Sequence, residues 1–126
     1  MSSAYSEVFV AIAAVDLAPV VQFYETVFAC TPIVQGDRYT EFQLGTLRLG
    51  IFKPATSNEA EFPARTNSLS LCVEVDDLGA FIERLRSLNI PVPGSITTAS
   101  HGREIYIYDP LGDRLILHEQ TKVGHN

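Results

Sequence analysis

Three histidines, His101, His118 and His125, are the side chains of this sequence best suited to acid–base chemistry near neutral pH or to binding a divalent metal ion. His118 lies in a run of residues typical of a β-strand, whereas His101 falls in a predicted loop and His125 in the C-terminal tail. One histidine does not form a metal site by itself. His118 could act as a general base, or it could be an exposed histidine at the end of a strand.

Carboxylates are the other groups that could supply acid–base chemistry or metal ligands. Glu41, Glu74 and Glu104 could join His118 in a rearranged metal site. His118 and Glu41 are therefore the candidate catalytic residues, although the sequence assigns neither of them a reaction.

The possible nucleophiles are two cysteines and one serine. Cys30 and Cys72 lie far apart, which excludes a CxxC zinc site and favours two buried thiols in a reducing compartment over a disulfide. For Cys72 an inert thiol is favoured over a nucleophile, because neither a helix N-terminus nor a base adjoins it. Ser70 has no G-x-S-x-G context, so no nucleophilic role is assigned to it.

The elements that position these side chains follow a pattern that occurs twice. Residues 8–14 predict a strand, Asp16 is a suitable N-cap, and residues 17–29 predict an amphipathic helix. The same order returns 61 residues later, where residues 68–75 predict a strand and Asp77 caps a second helix. This repeat indicates that one supersecondary unit was duplicated.

A pair of strands follows each predicted helix. Residues 39–44 and 47–52 flank Gly45, residues 104–108 and 114–119 flank a Pro-Gly turn, and a short strand is expected before each pair. The fold class is therefore α+β, with two tandem β-α-β-β-β modules. We assign module one to residues 6–53, a polar linker to 53–67 and module two to 68–120, within a single domain that spans 1–126.

Composition limits the partners that this chain can have. With 46% hydrophobic and 19% charged residues among 126, it is expected to fold without a partner. The net charge is −6 and the basic residues are scattered, so nucleic acid is not an expected partner. No signal sequence and no stretch of 18 apolar residues is present, which predicts a cytoplasmic protein without a membrane association.

Three segments, VAIAAVDLAPVVQFYETVF, SLCVEVDDLGAFIERL and YIYDPLGDRLIL, resemble the signatures of the vicinal oxygen chelate superfamily, which contains glyoxalase I, bleomycin-resistance proteins and extradiol dioxygenases. This resemblance covers most of the chain. It implies that each module curls its sheet into half of a cup, with the helices outside, and that the two halves enclose a ligand. It also implies a homodimer, which in this family is sometimes formed by exchange of halves.

Metal-dependent members of that superfamily hold a divalent cation with His and Glu side chains from the first and last strands of each module. The resemblance places these positions at Phe9, Ser70 and Ile116, and at Gly50 or, if the register slips by two, Arg48. None of these residues offers an imidazole or a carboxylate, so the expected metal is none and the expected cofactor is none.

Strand alternation divides the remaining residues between two faces of each sheet. The apolar set, expected to pack under the helices, comprises Val10, Ile12, Phe42, Leu44, Leu47, Leu49, Leu69, Leu71, Val73, Ile105, Ile107, Leu115 and Leu117. The other set mixes aromatic and polar residues, as small-molecule sites do. The ligand-binding candidates in that set are Phe9, Arg48, Phe52, Ser70, Cys72, Tyr106, Tyr108, Ile116 and His118.

Several of these candidates have a second interpretation. Tyr106 and Tyr108 could contact a ligand or could be rim aromatics, and Phe9 could fill the space of a lost metal. Arg48 could clamp an acidic ligand group, although a cross-strand pair with Glu41 is favoured.

Three functions follow. The favoured one is a metal-independent protein that binds a small amphipathic or aromatic molecule in the cup. The alternative is an enzyme of the same superfamily, a lyase, isomerase or dioxygenase, with a displaced metal or acid–base groups such as His118, Glu41 and Tyr106. The third is an interaction module whose cup is filled by its own side chains.

Overall fold

The described part of the chain contains eight strands, which form two four-stranded sheets. The structure is a computed structural model that describes residues 7–63, 69–99 and 101–121. The chain divides into two compact units, one within residues 1–64 and one within 65–126. Each unit contains one sheet and one α-helix.

Unit 1 has the strand order β1-β4-β3-β2. β4 lies between a parallel partner, β1, and an antiparallel partner, β3. The elements are β1 (Val10–Ala13), α1 (Leu17–Phe28), β2 (Val34–Gln35), β3 (Tyr39–Leu44) and β4 (Leu47–Phe52).

Unit 2 repeats this topology in the order β5-β8-β7-β6, with β8 parallel to β5 and antiparallel to β7. Its elements are β5 (Ser70–Glu74), α2 (Leu78–Ser87), β6 (Thr97–Ala99), β7 (Gly102–Tyr108) and β8 (Arg114–Gln120). The predicted α+β class with two β-α-β-β-β modules is therefore confirmed, as are both short strands expected before the hairpins.

One face of each sheet packs under the helix of its own unit. In unit 1 Phe42 of β3 and Leu49 and Ile51 of β4 are fully buried, as are the α1 residues Val20, Tyr24 and Val27. In unit 2 Leu115 and Leu117 are buried with Leu78 and Leu85 of α2. Burying a side chain of this size stabilises the fold by about 1.5–3 kcal/mol, so each helix is held mainly by this apolar contact. The second face of each sheet, here called the helix-free face, carries the mixed residues.

Three expectations about burial are wrong. Leu69 is 64% exposed because it precedes the first residue of β5. Leu88, which the apolar pattern of the second helix assigns to its buried stripe, is 44% exposed because it lies just beyond the end of α2. Cys72 is exposed rather than buried, because alternation turns it to the helix-free face. The segment predicted as a linker contains a 3-10 helix, Thr56–Glu61, and residues 64–67 of that segment lie outside the described residues.

The two helices begin at equivalent aspartates that behave differently. Both Asp16 and Asp77 have extended backbones at the N-cap position. The Asp77 side chain accepts a hydrogen bond from the Ala80 amide at 3.0 Å, whereas the Asp16 side chain makes no capping hydrogen bond within the described residues. The Leu78 amide also donates to Glu119 Oε1 at 2.7 Å, which ties α2 to β8. Among the residues that the structure describes, no helix combines the length and apolarity needed to cross a bilayer.

We expect Asp77→Ala to lower the free energy of unfolding by about 1 kcal/mol, because one helix amide loses its acceptor. Asp16→Ala is the matched control and should cost clearly less. Chemical denaturation followed by circular dichroism measures both variants. Equal losses would contradict the assignment of Asp77 as the functioning cap.

Candidate functional site

The helix-free face of unit 1 carries a network of charged and aromatic side chains around Glu41. The Arg48 guanidinium binds Glu41 Oε2 through Nε at 2.5 Å and also pairs with Glu7. The Tyr39 hydroxyl donates to Glu41 Oε1 at 2.7 Å. Phe9 lies under this guanidinium, 3.8 Å from its central carbon to the ring centroid. Arg48 therefore forms the expected pair with Glu41 and, in addition, a cation–π contact.

Burial and charge together change the ionisation of this network. Burial raises the pKa of the Tyr39 phenol, and the hydrogen bond and charge of Glu41 raise it further, with a partial offset from Arg48. Desolvation would lower the pKa of Arg48, but its hydrogen bond to Glu7 and the charge of Glu41 raise the pKa overall. Arg48 therefore remains a cation, and Glu41 is its buried counter-ion.

Phe52, the third predicted ligand contact in unit 1, packs edge-on against Phe62 with ring centroids 5.0 Å apart. Phe62 directly follows the 3-10 helix of the linker. The sequence alone indicates no partner for Phe52, because the segment after it is polar and predicts no regular element.

The helix-free face of unit 2 brings together the six other predicted ligand-binding residues. The β5–β8–β7 pairing sets them in rows, and the described rows are Ser70–Arg114–Tyr108, Cys72–Ile116–Tyr106 and Glu74–His118–Glu104. Arg114 Nη1 donates to Ser70 Oγ at 3.1 Å, and the guanidinium carbon lies 5.6 Å from the Tyr106 ring centroid. Ser70 is therefore a hydrogen-bond partner of Arg114.

A cleft of about 280 Å³ opens beside the two tyrosines of β7. Tyr106 and Tyr108 both line it, each about 41% exposed, together with Glu104 and the segment before β6. The Tyr106 hydroxyl donates to Glu104 Oε2 at 3.3 Å. This cleft is slightly smaller than a typical drug-sized pocket and suits a small ligand or one ring of a larger one.

At the end of this face, His118 lies with Glu74 and Glu104, two of the carboxylates proposed from the sequence as its partners, and with His101, which the sequence did not place there. His118 Nδ1 lies 2.6 Å from Glu74 Oε1. The His101 ring stacks against it at 5.2 Å between centroids, and Glu104 is its cross-strand neighbour. The prediction that His101 lies in a loop was correct in that a turn precedes β7, but this turn places the ring beside β8. No local pattern of residues signals that contact.

The comparison with known families agrees with this topology. The family model described as Glyoxalase/Bleomycin resistance protein/Dioxygenase superfamily matches residues 8–116. The chain belongs to this superfamily.

Solved structures of the superfamily share this fold along nearly the whole chain. The fosfomycin resistance protein FosX from Listeria monocytogenes is 20% identical, with 97% of each chain covered and a TM-score of 0.72. Lactoylglutathione lyase from Agrobacterium tumefaciens is 24% identical, with 95% of this chain and 98% of that chain covered and a TM-score of 0.69. A bleomycin-binding protein complexed with bleomycin is 20% identical, with 93% and 100% covered and a TM-score of 0.63.

The internal repeat also decides whether Gly50 or Arg48 occupies the last-strand metal position of the first module. Ile116 pairs with Cys72 in unit 2, and Gly50 pairs with Ala11, the equivalent of Cys72, in unit 1. Gly50 is therefore the equivalent of Ile116, and Arg48 is not.

The residues at these four positions do not fit a divalent cation. A Cβ atom at Gly50 would lie 2.6 Å from the Tyr39 hydroxyl, so that space is already filled. Phe9 is covered by the Arg48 guanidinium, Ser70 accepts from Arg114, and Ile116 offers no ligand atom. Each unit therefore has an arginine cation beside its family positions, Arg48 in unit 1 and Arg114 in unit 2, and a cation repels a metal ion.

A larger groove of about 600 Å³ lies on the helix side of unit 1, between the start of α1 and the segment from Gln35 to Asp37. Its described lining contains no aromatic residue and no histidine. It is separate from the helix-free face and contains none of the predicted site residues.

Elsewhere in unit 1, burial and then the charge of Glu25 raise the pKa of the Cys30 thiol, which disfavours the reactive thiolate.

We expect Glu41→Gln to lower the pKa of Tyr39, because the variant removes the charge that raises it and leaves Arg48, which lowers it. Absorbance titration of tyrosinate measures the shift, and Tyr39→Phe identifies which signal belongs to this residue. In the native chain the raised pKa of Tyr39 stabilises the fold. This stabilisation is fully present below the pKa of tyrosine in the unfolded chain, which is about 10, and it is lost as pH rises through the pKa of Tyr39 in the folded chain. An unchanged Tyr39 titration in Glu41→Gln would rule out this coupling.

Proposed function

We propose that this chain binds a small amphipathic or aromatic molecule on the helix-free faces of its sheets, without a metal ion at the four family positions. The observation that carries this proposal is the cleft of unit 2 that Tyr106 and Tyr108 line. These two half-exposed aromatic rings offer stacking area to a small ligand.

The charge beside the cleft specifies the class of ligand further. Arg114 lies over Tyr106, and its cationic guanidinium can form paired hydrogen bonds with a carboxylate or phosphate. The exposed Cys72 and the half-buried Ile116 add apolar surface in the next row. The best ligand therefore combines an aromatic ring with an acidic group. A solved relative that is a bleomycin-binding protein, complexed with bleomycin, supports binding as a function that this fold can serve.

A second candidate function is an enzyme of the superfamily, a lyase, isomerase or dioxygenase. One observation favours it, namely the short contact between His118 and Glu74, since a carboxylate on one ring nitrogen orients an imidazole for proton transfer at the other. In that case Glu41 has no direct part, because Arg48 and Tyr39 already occupy its carboxylate.

We also propose that the chain acts as one domain, as a homodimer and in the cytoplasm. The free thiols of Cys30 and Cys72 support a reducing compartment. Size-exclusion chromatography with light scattering tests the dimer, and a monomer mass at working concentration would contradict it.

A thermal-shift screen tests the proposed function. Compounds that pair an aromatic ring with an acidic group should raise the melting temperature, because a ligand that binds only the native state stabilises it by mass action. Tyr108→Ala should weaken the best hit by roughly tenfold, which corresponds to about 1.4 kcal/mol. Leu88→Ala, an exposed apolar truncation at the end of α2, is the control and should not weaken binding.

Mass spectrometry of the recovered hit separates binding from catalysis. An unchanged compound supports the binding protein, whereas a converted compound supports the second candidate. If no aromatic, acidic or glycopeptide compound changes the melting temperature, both functions are contradicted. The third function, an interaction module whose cup is filled by its own side chains, would then be favoured.

A further inference from the structure

We infer that unit 2 carries a divalent-cation site formed by His101, Glu104 and His118, outside the four positions that the family uses. Each of these side chains offers one ligand atom, and the three atoms lie within 4.8 Å of one another. This inference does not rest on the proposed ligand site, because it concerns a cation and needs no organic molecule.

His118 has the environment of a metal-binding imidazole. Its Nδ1 is held at 2.6 Å by Glu74 Oε1, so the proton of the neutral ring belongs on Nδ1. Nε2 then presents a lone pair, and this atom is buried with no hydrogen-bond partner in the part of the chain that the structure describes. Metal-bound histidines usually donate their other ring nitrogen to a carboxylate in this way, which orients the ring and increases its basicity.

His101 and Glu104 supply the other two ligand atoms from the two ends of one short segment. The His101 ring is nearly parallel to the His118 ring, with an angle of 17° between the planes. Glu104 faces His118 directly across the β7–β8 pairing. Neither position belongs to the family set, which the resemblance places at Ser70 and Ile116 in this module. The sequence offers Glu104 as a partner of His118 in a rearranged site, but it places His101 in a loop.

Gly102, between these two ligands, allows the three side chains to approach one another. A Cβ atom at this position would lie 2.9 Å from His118 Nε2 and 2.2 Å from the Glu119 carbonyl oxygen. Its backbone φ of +149° also lies where other residues are strained. A glycine here therefore leaves the space beside His118 Nε2 to His101 and Glu104.

The donor set determines which cation fits. Two imidazoles and one carboxylate match zinc and similar first-row transition metals, which in accessible sites take three protein ligands and keep one position for water. Calcium and magnesium prefer an all-oxygen set and are disfavoured. The carboxylate of Glu74, held on His118, adds a further negative charge near the site.

The experiment titrates the full chain, freed of any purification tag and treated with chelator, with Zn²⁺ by calorimetry and with Co²⁺ by visible absorption. One equivalent should bind, and Co²⁺ should give the ligand-field bands of a low-coordinate ion. His101→Gln and Glu104→Gln should each weaken binding by about tenfold or more, and Glu74→Gln by about 10–100-fold through loss of orientation. Glu83→Gln, on an exposed position of α2, is the matched control and should bind normally.

Two outcomes would overturn the inference. One is the absence of a stoichiometric equivalent in the native chain, and the other is equal binding by Glu104→Gln and Glu83→Gln. His101 is exposed and is not one of the residues that line the cleft, so His101→Gln should fold normally and retain the organic ligand while losing the cation. Failure of the cation site and failure of the proposed function are therefore distinguishable.

Discussion

In each unit the last strand is hydrogen-bonded along both edges, in parallel to the first strand and antiparallel to the strand before it. A parallel partner can be reached only through a crossover, and here that crossover contains the helix. The helix returns over one face of the sheet, so the alternating residues of β4 and β8 divide between a buried apolar face and a helix-free face. Leu115 and Leu117 point one way, and Ile116 and His118 point the other.

On the helix-free faces, charged side chains lie beside the positions that hold the metal ligands in metal-dependent members of the superfamily. In unit 1 an arginine cation is held between two carboxylates and stacked on Phe9, where the register places a metal ligand. In unit 2 Arg114 holds Ser70 at the equivalent position. In each unit the arginine therefore brings positive charge to the position where a metal cation would bind. These arginines are the reason for proposing an anionic or aromatic ligand at the family positions, and the His118 imidazole lies one row further along the sheet of unit 2.

Most of the secondary structure follows from local patterns. The strands of the first hairpin, residues 39–44 and 47–52, lie where the sequence predicts them, because a Gly turn and period-two alternation leave one register available. Errors occur where burial depends on the ends of elements. Leu69 and Leu88 fit their apolar patterns, but each lies one residue outside its element and so finds no cover. The apolar pattern of the first helix predicts a buried stripe of Leu17, Val20, Val21, Tyr24, Val27 and Phe28, but the structure also buries Phe23.

The sequence by itself determined the duplication, the α+β class, the two faces of each sheet and the absence of ligand side chains at the family positions. These features depend on residue type and on spacing within one unit, which the chain carries in linear form. Only the tertiary structure decided that His101 stacks on His118 and that Tyr39 occupies the space above Gly50. Such contacts arise from strand register, turn geometry and the missing side chain of a glycine, and these act together only when distant segments are paired.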